Sequence, residues 1–236
     1  MDKNPQKTTR STATTATKAS TKRPRIADAR LSDLMAAAAD VFIEQGFDNA
    51  SLKEISKRAG ASKATLYGRY PNKEALFTAV LQHRMEGIAQ TMTMDNIDPT
   101  EPLEVSLTRF GTGLLENALT DPQIAIVRTI STVSSRFPQL GEQYYRLGTL
   151  FGIRTLSGYL QAKQERGELV GDEPPELMAQ QFITLSIDSL LYRKLLGIAG
   201  RQSQRDRTAQ VARAVKMFLR CYASKTTVKT NVQSRR

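Results

Sequence analysis

The feature that most restricts how this chain can fold is a pair of helix-start signals on either side of one tight turn. Ser51, with Glu54 three positions later, forms a capping box in which each side chain satisfies an orphan amide of the other's turn. Gly60 ends that short helix, and Ser62 caps the next one. Only Gly60 and Ala61 separate the two, so the segments meet across a sharp corner, as a helix-turn-helix requires. Upstream, Leu31, Leu34, Ala38, Val41 and Phe42 recur at helical spacing and stop at Gly46, a residue suited to the left-handed turn after a helix. Downstream, Pro71 and Asn72 close the second short helix and cap a fourth, whose apolar stripe runs Leu76, Phe77, Val80, Leu81, Met85 and Ile88. That fourth helix is long enough to leave one domain and enter the next.

Helical patterns continue after a break at residues 98–101. Pro102 suits a first-turn position, and so does Pro122 behind a capping Asp121. Pro138 and Gly141 mark a boundary before a long helix from about Gln143 to Arg166. Pro174 and Pro175 introduce another that reaches about Leu196, and the last runs from about Ser203 to Ala223. No segment alternates apolar and polar residues between turn signals as a strand does. The expected fold class is therefore all-α: an N-terminal three-helix unit of helix-turn-helix type over residues 27–80 and a C-terminal helical domain over residues 81–223.

The formal net charge is +11, yet its distribution says more than its size. Residues 1–26 hold Lys3, Lys7, Arg10, Lys18, Lys22, Arg23 and Arg25 against Asp2, and residues 224–236 add Lys225, Lys229, Arg235 and Arg236. The body between them is nearly neutral, and the two ends read as a flexible basic arm and a basic tail. Within the body, positive charge gathers in one place: Lys53, Lys57, Arg58, Lys63, Arg69 and Lys73 stand against Glu54 alone. A phosphate backbone needs such a cluster, because each neutralised phosphate releases counterions. A solvated helix face would give the same count, so charge by itself leaves both readings open.

Other classes are poorly served. With Cys221 and His83 as its single cysteine and histidine, the chain offers neither a disulfide framework nor a His/Cys metal centre, and no metal or cofactor is expected. His83 has no evident acid or nucleophile partner, and neither a glycine-rich phosphate loop nor a carboxylate pair is placed, so no catalytic residue is assigned. No stretch approaches the roughly 20 apolar residues that cross a bilayer, and the N-terminus lacks the apolar core of a secretory signal; no membrane partner and a cytoplasmic location are expected.

The second short helix carries the finer signal. In Lys63-Ala64-Thr65-Leu66-Tyr67-Gly68-Arg69, Leu66 turns inward while small or polar residues face out, where base edges can approach. Gly68 costs roughly 1 kcal/mol of helix propensity relative to alanine; close approach to a groove or local fraying would each account for it. The blocks Gly46-Phe47-Asp48-Asn49-Ala50-Ser51, Ile55-Ser56-Lys57-Arg58-Ala59-Gly60-Ala61-Ser62, Thr65-Leu66-Tyr67-Gly68-Arg69-Tyr70 and Asn72-Lys73-Glu74-Ala75-Leu76 resemble, in order, the N-terminal domain of the tetracycline-repressor (TetR) family. Ala61-Ser62 and Arg69-Tyr70 stand where the family more usually has Val-Ser and His-Phe.

The resemblance implies a homodimer that binds a palindromic double-stranded DNA operator, each subunit placing this helix in the major groove. It implies phosphate contacts for Tyr67 and Lys73, positions near bases for Lys53 and Thr65, and further contacts from Lys63 and Arg69. Ser51, Ser62, Ala64 and Gly68 complete the expected DNA-facing set. It further implies repression, relieved when an unidentified small-molecule effector occupies the C-terminal domain. Phe110, Leu114, Tyr144 and Phe182 are expected to help line that cavity, although ordinary core packing would also use each of them. Phe182, Leu185, Leu190, Leu191, Leu195, Val211, Val215, Met217 and Phe218 give the last two helices more apolar surface than one stripe needs, which fits pairing with a twin. Cys221 reads as a small buried hydrophobe. The alternative is a general nucleic-acid binder that works through its basic tails.

Overall fold

The computed structural model describes residues 26–91, 101–198 and 204–224. The basic arm up to residue 25, most of the break at residues 98–101 and the basic tail beyond Ser224 lie outside the described residues. Within them every regular element is a helix, as the absence of strand patterning implies, and Leu169 with Ala223 forms an isolated antiparallel bridge. The N-terminal end comprises α1 (Ile26–Asn49), α2 (Leu52–Arg58), α3 (Lys63–Arg69) and α4 (Lys73–Thr91). Then follow α5 (Leu103–Ala118), α6 (Asp121–Val133), α7 (Pro138–Leu147), α8 (Thr149–Glu165), α9 (Pro175–Leu195) and α10 (Gln204–Tyr222).

Two apolar cores hold these helices, and the first crosses the expected domain boundary. Met35, Phe42, Ile55, Leu66, Phe77 and Leu81 of α1–α4 share one cluster with Ile126, Ile130 and Val133 of α6 and Leu140 of α7. Phe42, Phe47 and Phe77 pack edge-on or stacked at centroid separations of 4.8 to 5.9 Å, a favourable aromatic geometry. The second core joins α5, α8, α9 and α10 through Leu107, Leu160, Phe182 and Phe218. Beside it, the buried Lys163 ammonium is satisfied by the Glu168 carboxylate at 2.9 Å and the Glu101 carbonyl at 3.1 Å, as a buried charge must be.

Several boundaries depart from the sequence pattern. Gly46 interrupts α1 with φ 72°, but helical structure resumes to Asn49 rather than stopping there. The long helix expected from Gln143 to Arg166 is two, α7 and α8, parted at Gly148. There the backbone runs so close that a β-carbon would lie 3.2 Å from the Tyr144 carbonyl oxygen. Thr120, not Asp121, caps α6, accepting from the Gln123 amide at 3.4 Å. Asp121 reaches Lys194 instead, at 2.8 Å, and that hydrogen bond holds its carboxyl below the ordinary carboxylate range. Cys221 is exposed rather than buried. Phe182, Leu190, Val211, Val215 and Phe218 are used up inside the subunit, whereas Leu177 and Tyr192 of α9, Leu196 and Ile198 just beyond it and Met217 of α10 are left outside.

Candidate nucleic-acid interface and cavity

Both short helices begin by the same device. Ser51 Oγ accepts from the Glu54 amide at 3.1 Å, and Ser62 Oγ accepts from the Thr65 amide at 3.0 Å. The corner between them turns at Gly60, whose φ of 61° is a conformation that other L residues rarely adopt. It is closed by the Ala61 amide donating to the Ser56 carbonyl at 3.0 Å. Ile55 of α2 and Leu66 of α3 are buried in the first core and fix how the pair is rolled. With Leu66 inward, Lys63, Ala64, Thr65, Tyr67, Gly68 and Arg69 are all exposed, and Tyr67 is 49% accessible, far from a core aromatic. A β-carbon at Gly68 would meet nothing within 4 Å, so no contact inside the protein demands glycine there.

The six basic residues of this region divide into two groups. Lys53, Lys57, Lys63 and Arg69 are exposed and form no ion pair among the described residues. Arg58 is committed to Glu44 at 2.7 Å, a hydrogen bond that holds its guanidinium above its ordinary pKa. Lys73 is turned inward. Its Nζ donates to the Asp48 carbonyl at 2.8 Å and the Ala50 carbonyl at 3.2 Å, and it lies 4.8 Å from the Phe47 ring centroid. It therefore ties the start of α4 to the junction of α1 and α2. The charge pattern gives no sign of this, because the acceptors are backbone atoms more than twenty residues away.

A cavity of about 300 Å³ lies between the two cores, with walls from α4 to α9. Leu114 and Tyr144 line it, as expected from sequence. Phe110 and Phe182 do not: their rings sit 6.4 Å apart in the second core, because burial against α10 satisfies them better than a cavity wall. Residues that sequence reasoning missed supply most of the wall, among them Met85, Ile88, Gln123, Val127, Phe151, Ile183 and Asp188. Arg128 braces one side of it by donating to the Lys194 and Leu195 carbonyls, both at 3.0 Å, at the C-terminus of α9. No signal in the sequence marks Gln123 as a wall residue, since a polar residue in the first turn of a helix is ordinary.

A capped helix of small, polar and cationic outward residues, rolled into place by one buried leucine and joined by a glycine corner to its partner, defines a helix-turn-helix regulator. Residues 34–80 match the family described as bacterial regulatory proteins, tetR family, and residues 105–224 match the AefR-like transcriptional repressor C-terminal domain. The chain belongs to the TetR family of DNA-binding transcriptional regulators. The repressor BepR of Brucella suis is 26% identical over 161 residues, covering 64% of this chain and 74% of BepR. The activator FasR of Mycolicibacterium smegmatis is 39% identical over 75 residues, but this match spans only 29% of the chain and 34% of FasR. Among solved structures, the flavonoid-responsive regulator FrrA is 29% identical with a TM-score of 0.71, covering 84% of this chain and 98% of that one. A TetR-family regulator from Mesorhizobium loti shares the fold at a TM-score of 0.76 and 22% identity, over 85% and 100% of the two chains. Among the described residues, no helix is long and apolar enough to cross a membrane.

Proposed function

We propose that this chain represses transcription as a homodimer that reads a palindromic operator with α3 and is released by a small molecule held in the cavity. The outward face of α3 carries the reading: every position from Lys63 to Arg69 except Leu66 is exposed, and at Gly68 a β-carbon would meet nothing within 4 Å. Tyr67, Lys63 and Arg69 hold phosphates, Thr65 and Lys53 lie against base edges, and Ala64 and Gly68 allow the backbone to come close. Ser51 and Ser62 present the first free amides of α2 and α3 to the backbone. In this reading the protein works in the cytoplasm, residues 27–80 form the reading head, residues 81–223 the effector and dimer unit, and the segments 1–26 and 224–236 add salt-dependent affinity for the same DNA.

Support for the dimer comes from Tyr192 of α9, Leu196 just beyond it and Met217 of α10, which are 64%, 56% and 50% exposed; apolar side chains left in solvent there suit pairing with a second copy. Support for regulation comes from the cavity and from FrrA, a flavonoid-responsive regulator. Repression rather than activation rests on the matched C-terminal domain and on BepR. Titration of operator and random duplex tests the reading directly. Thr65→Ala should change the preference between operator variants, while removal of residues 1–25 should lower affinity for both duplexes and leave their ratio standing. Loss of nearly all binding on that removal would instead identify a general binder working through its tails.

A further inference from the structure

The cavity wall is chemically lopsided. It is built mainly from apolar side chains, it includes the carboxylate of Asp188, and among the described residues no lysine, arginine or histidine is part of it. An anion placed against the apolar part of this wall would give up hydration and gain no cation in return, which is unfavourable. The polar groups it does present have unused capacity. Gln123 is only 6% exposed, and its Oε1 is buried with no hydrogen-bond partner. Its Nε2 donates to the Tyr144 hydroxyl oxygen at 2.9 Å. That leaves the Tyr144 O–H proton to be given to something else, and burial raises the phenol's pKa, so the proton stays on. A buried orphan acceptor in a native fold costs free energy unless something fills it.

We infer that the effector is an uncharged or cationic, largely apolar molecule that donates a hydrogen bond to Gln123 Oε1, and that carboxylates and other anions are rejected. Beside that acceptor, the Tyr144 hydroxyl donates to an acceptor on the same ligand, so a donor and an acceptor next to one another are read together. Phe151, Ile183 and Met85 enclose the apolar body, and Asp188 favours a positive group over a negative one. This inference rests on the cavity being the effector site, but it has its own means of failing.

Two fluorescent probes with one skeleton separate the possibilities. N-phenyl-1-naphthylamine is neutral and carries one N–H donor; 1-anilinonaphthalene-8-sulfonate adds an anion. On the full-length protein, with the Ala118→Phe variant that fills the cavity as the blank for binding elsewhere, the neutral probe should bind at one site per subunit. It should bind at least tenfold more tightly than the sulfonate. Gln123→Leu should weaken the neutral probe several-fold, and Asp188→Lys should tighten the sulfonate about tenfold. Circular dichroism and melting temperature verify that each variant is folded. Equal or tighter binding of the sulfonate to the native protein overturns the assigned ligand class while leaving an effector site in place, and so does an unchanged neutral affinity in Gln123→Leu. Failure of both probes to enter the cavity overturns the class and the effector site together.

Discussion

Phe137, at the corner between α6 and α7, sets its ring 5.4 Å from that of Phe47 beside the reading head. One residue earlier, Arg136 reaches Asp48 at 2.7 Å, so the same corner is pinned by a charge and by a ring. Phe47 in turn lies under the Lys73 ammonium, at the junction that sets where α2 and α3 begin. α6 and α7 also carry Gln123 and Tyr144, so the cavity and the reading head meet through this contact.

Replacing both corner residues, Arg136→Ala with Phe137→Ala, should separate the two halves energetically. The native chain should unfold in one calorimetric transition, because its first core spans both halves. The exposed ion pair contributes about 0.2–1 kcal/mol, and the partly buried ring less than the roughly 3–5 kcal/mol of a fully buried phenylalanine. The variant should melt at lower temperature with the reading head leading. A single unshifted transition would show that the corner couples nothing.

Lys73→Ala should weaken DNA binding and also destabilise the free protein. Two charged hydrogen bonds to carbonyls and a ring contact disappear, at a cost of about 1–3 kcal/mol. Tyr67→Phe makes the informative contrast: its hydroxyl is exposed, so affinity should fall with the melting temperature unchanged. Denaturant unfolding beside duplex titration reads both, and an unaltered stability for Lys73→Ala would disprove the tie between α4 and the α1–α2 junction.

Gly68→Ala should oppose stability to function. A β-carbon there meets nothing within 4 Å, and the helix should gain up to about 1 kcal/mol. On DNA the added methyl should cost affinity for operator and random duplex alike. If operator affinity stays level or improves, the backbone does not approach the groove at this position.

Tyr144 and Tyr159 should ionise late in an absorbance titration, because burial raises both above the ordinary value of 10.0. The folded pKa lies above the unfolded one, so any stability they contribute is complete below about pH 10 and is lost as pH climbs through the folded values. Tyr144→Phe should therefore lose less stability than the native chain as pH rises above about 10. Parallel curves for the two proteins would mean that the phenol is not held in the cavity wall.

Sequence alone determined the elements whose cause is local. Ser51, Gly60 and Ser62 act within one turn of themselves, through a cap or a backbone angle, so α2, α3 and the corner between them can be read residue by residue. The inward turn of Leu66 follows from helical period, and with it the outward set from Lys63 to Arg69. Only the tertiary structure decided the partners of groups whose interactions cross long stretches of chain. It turned Lys73 from the cationic face toward two carbonyls, took Phe110 and Phe182 into a core, exposed Cys221, and set Gln123 against Tyr144 with one acceptor left over. A cap is fixed by neighbours a few residues away, whereas a cavity wall is whatever remains where two cores fail to touch. That gap is a property of packing, and no single helix encodes it.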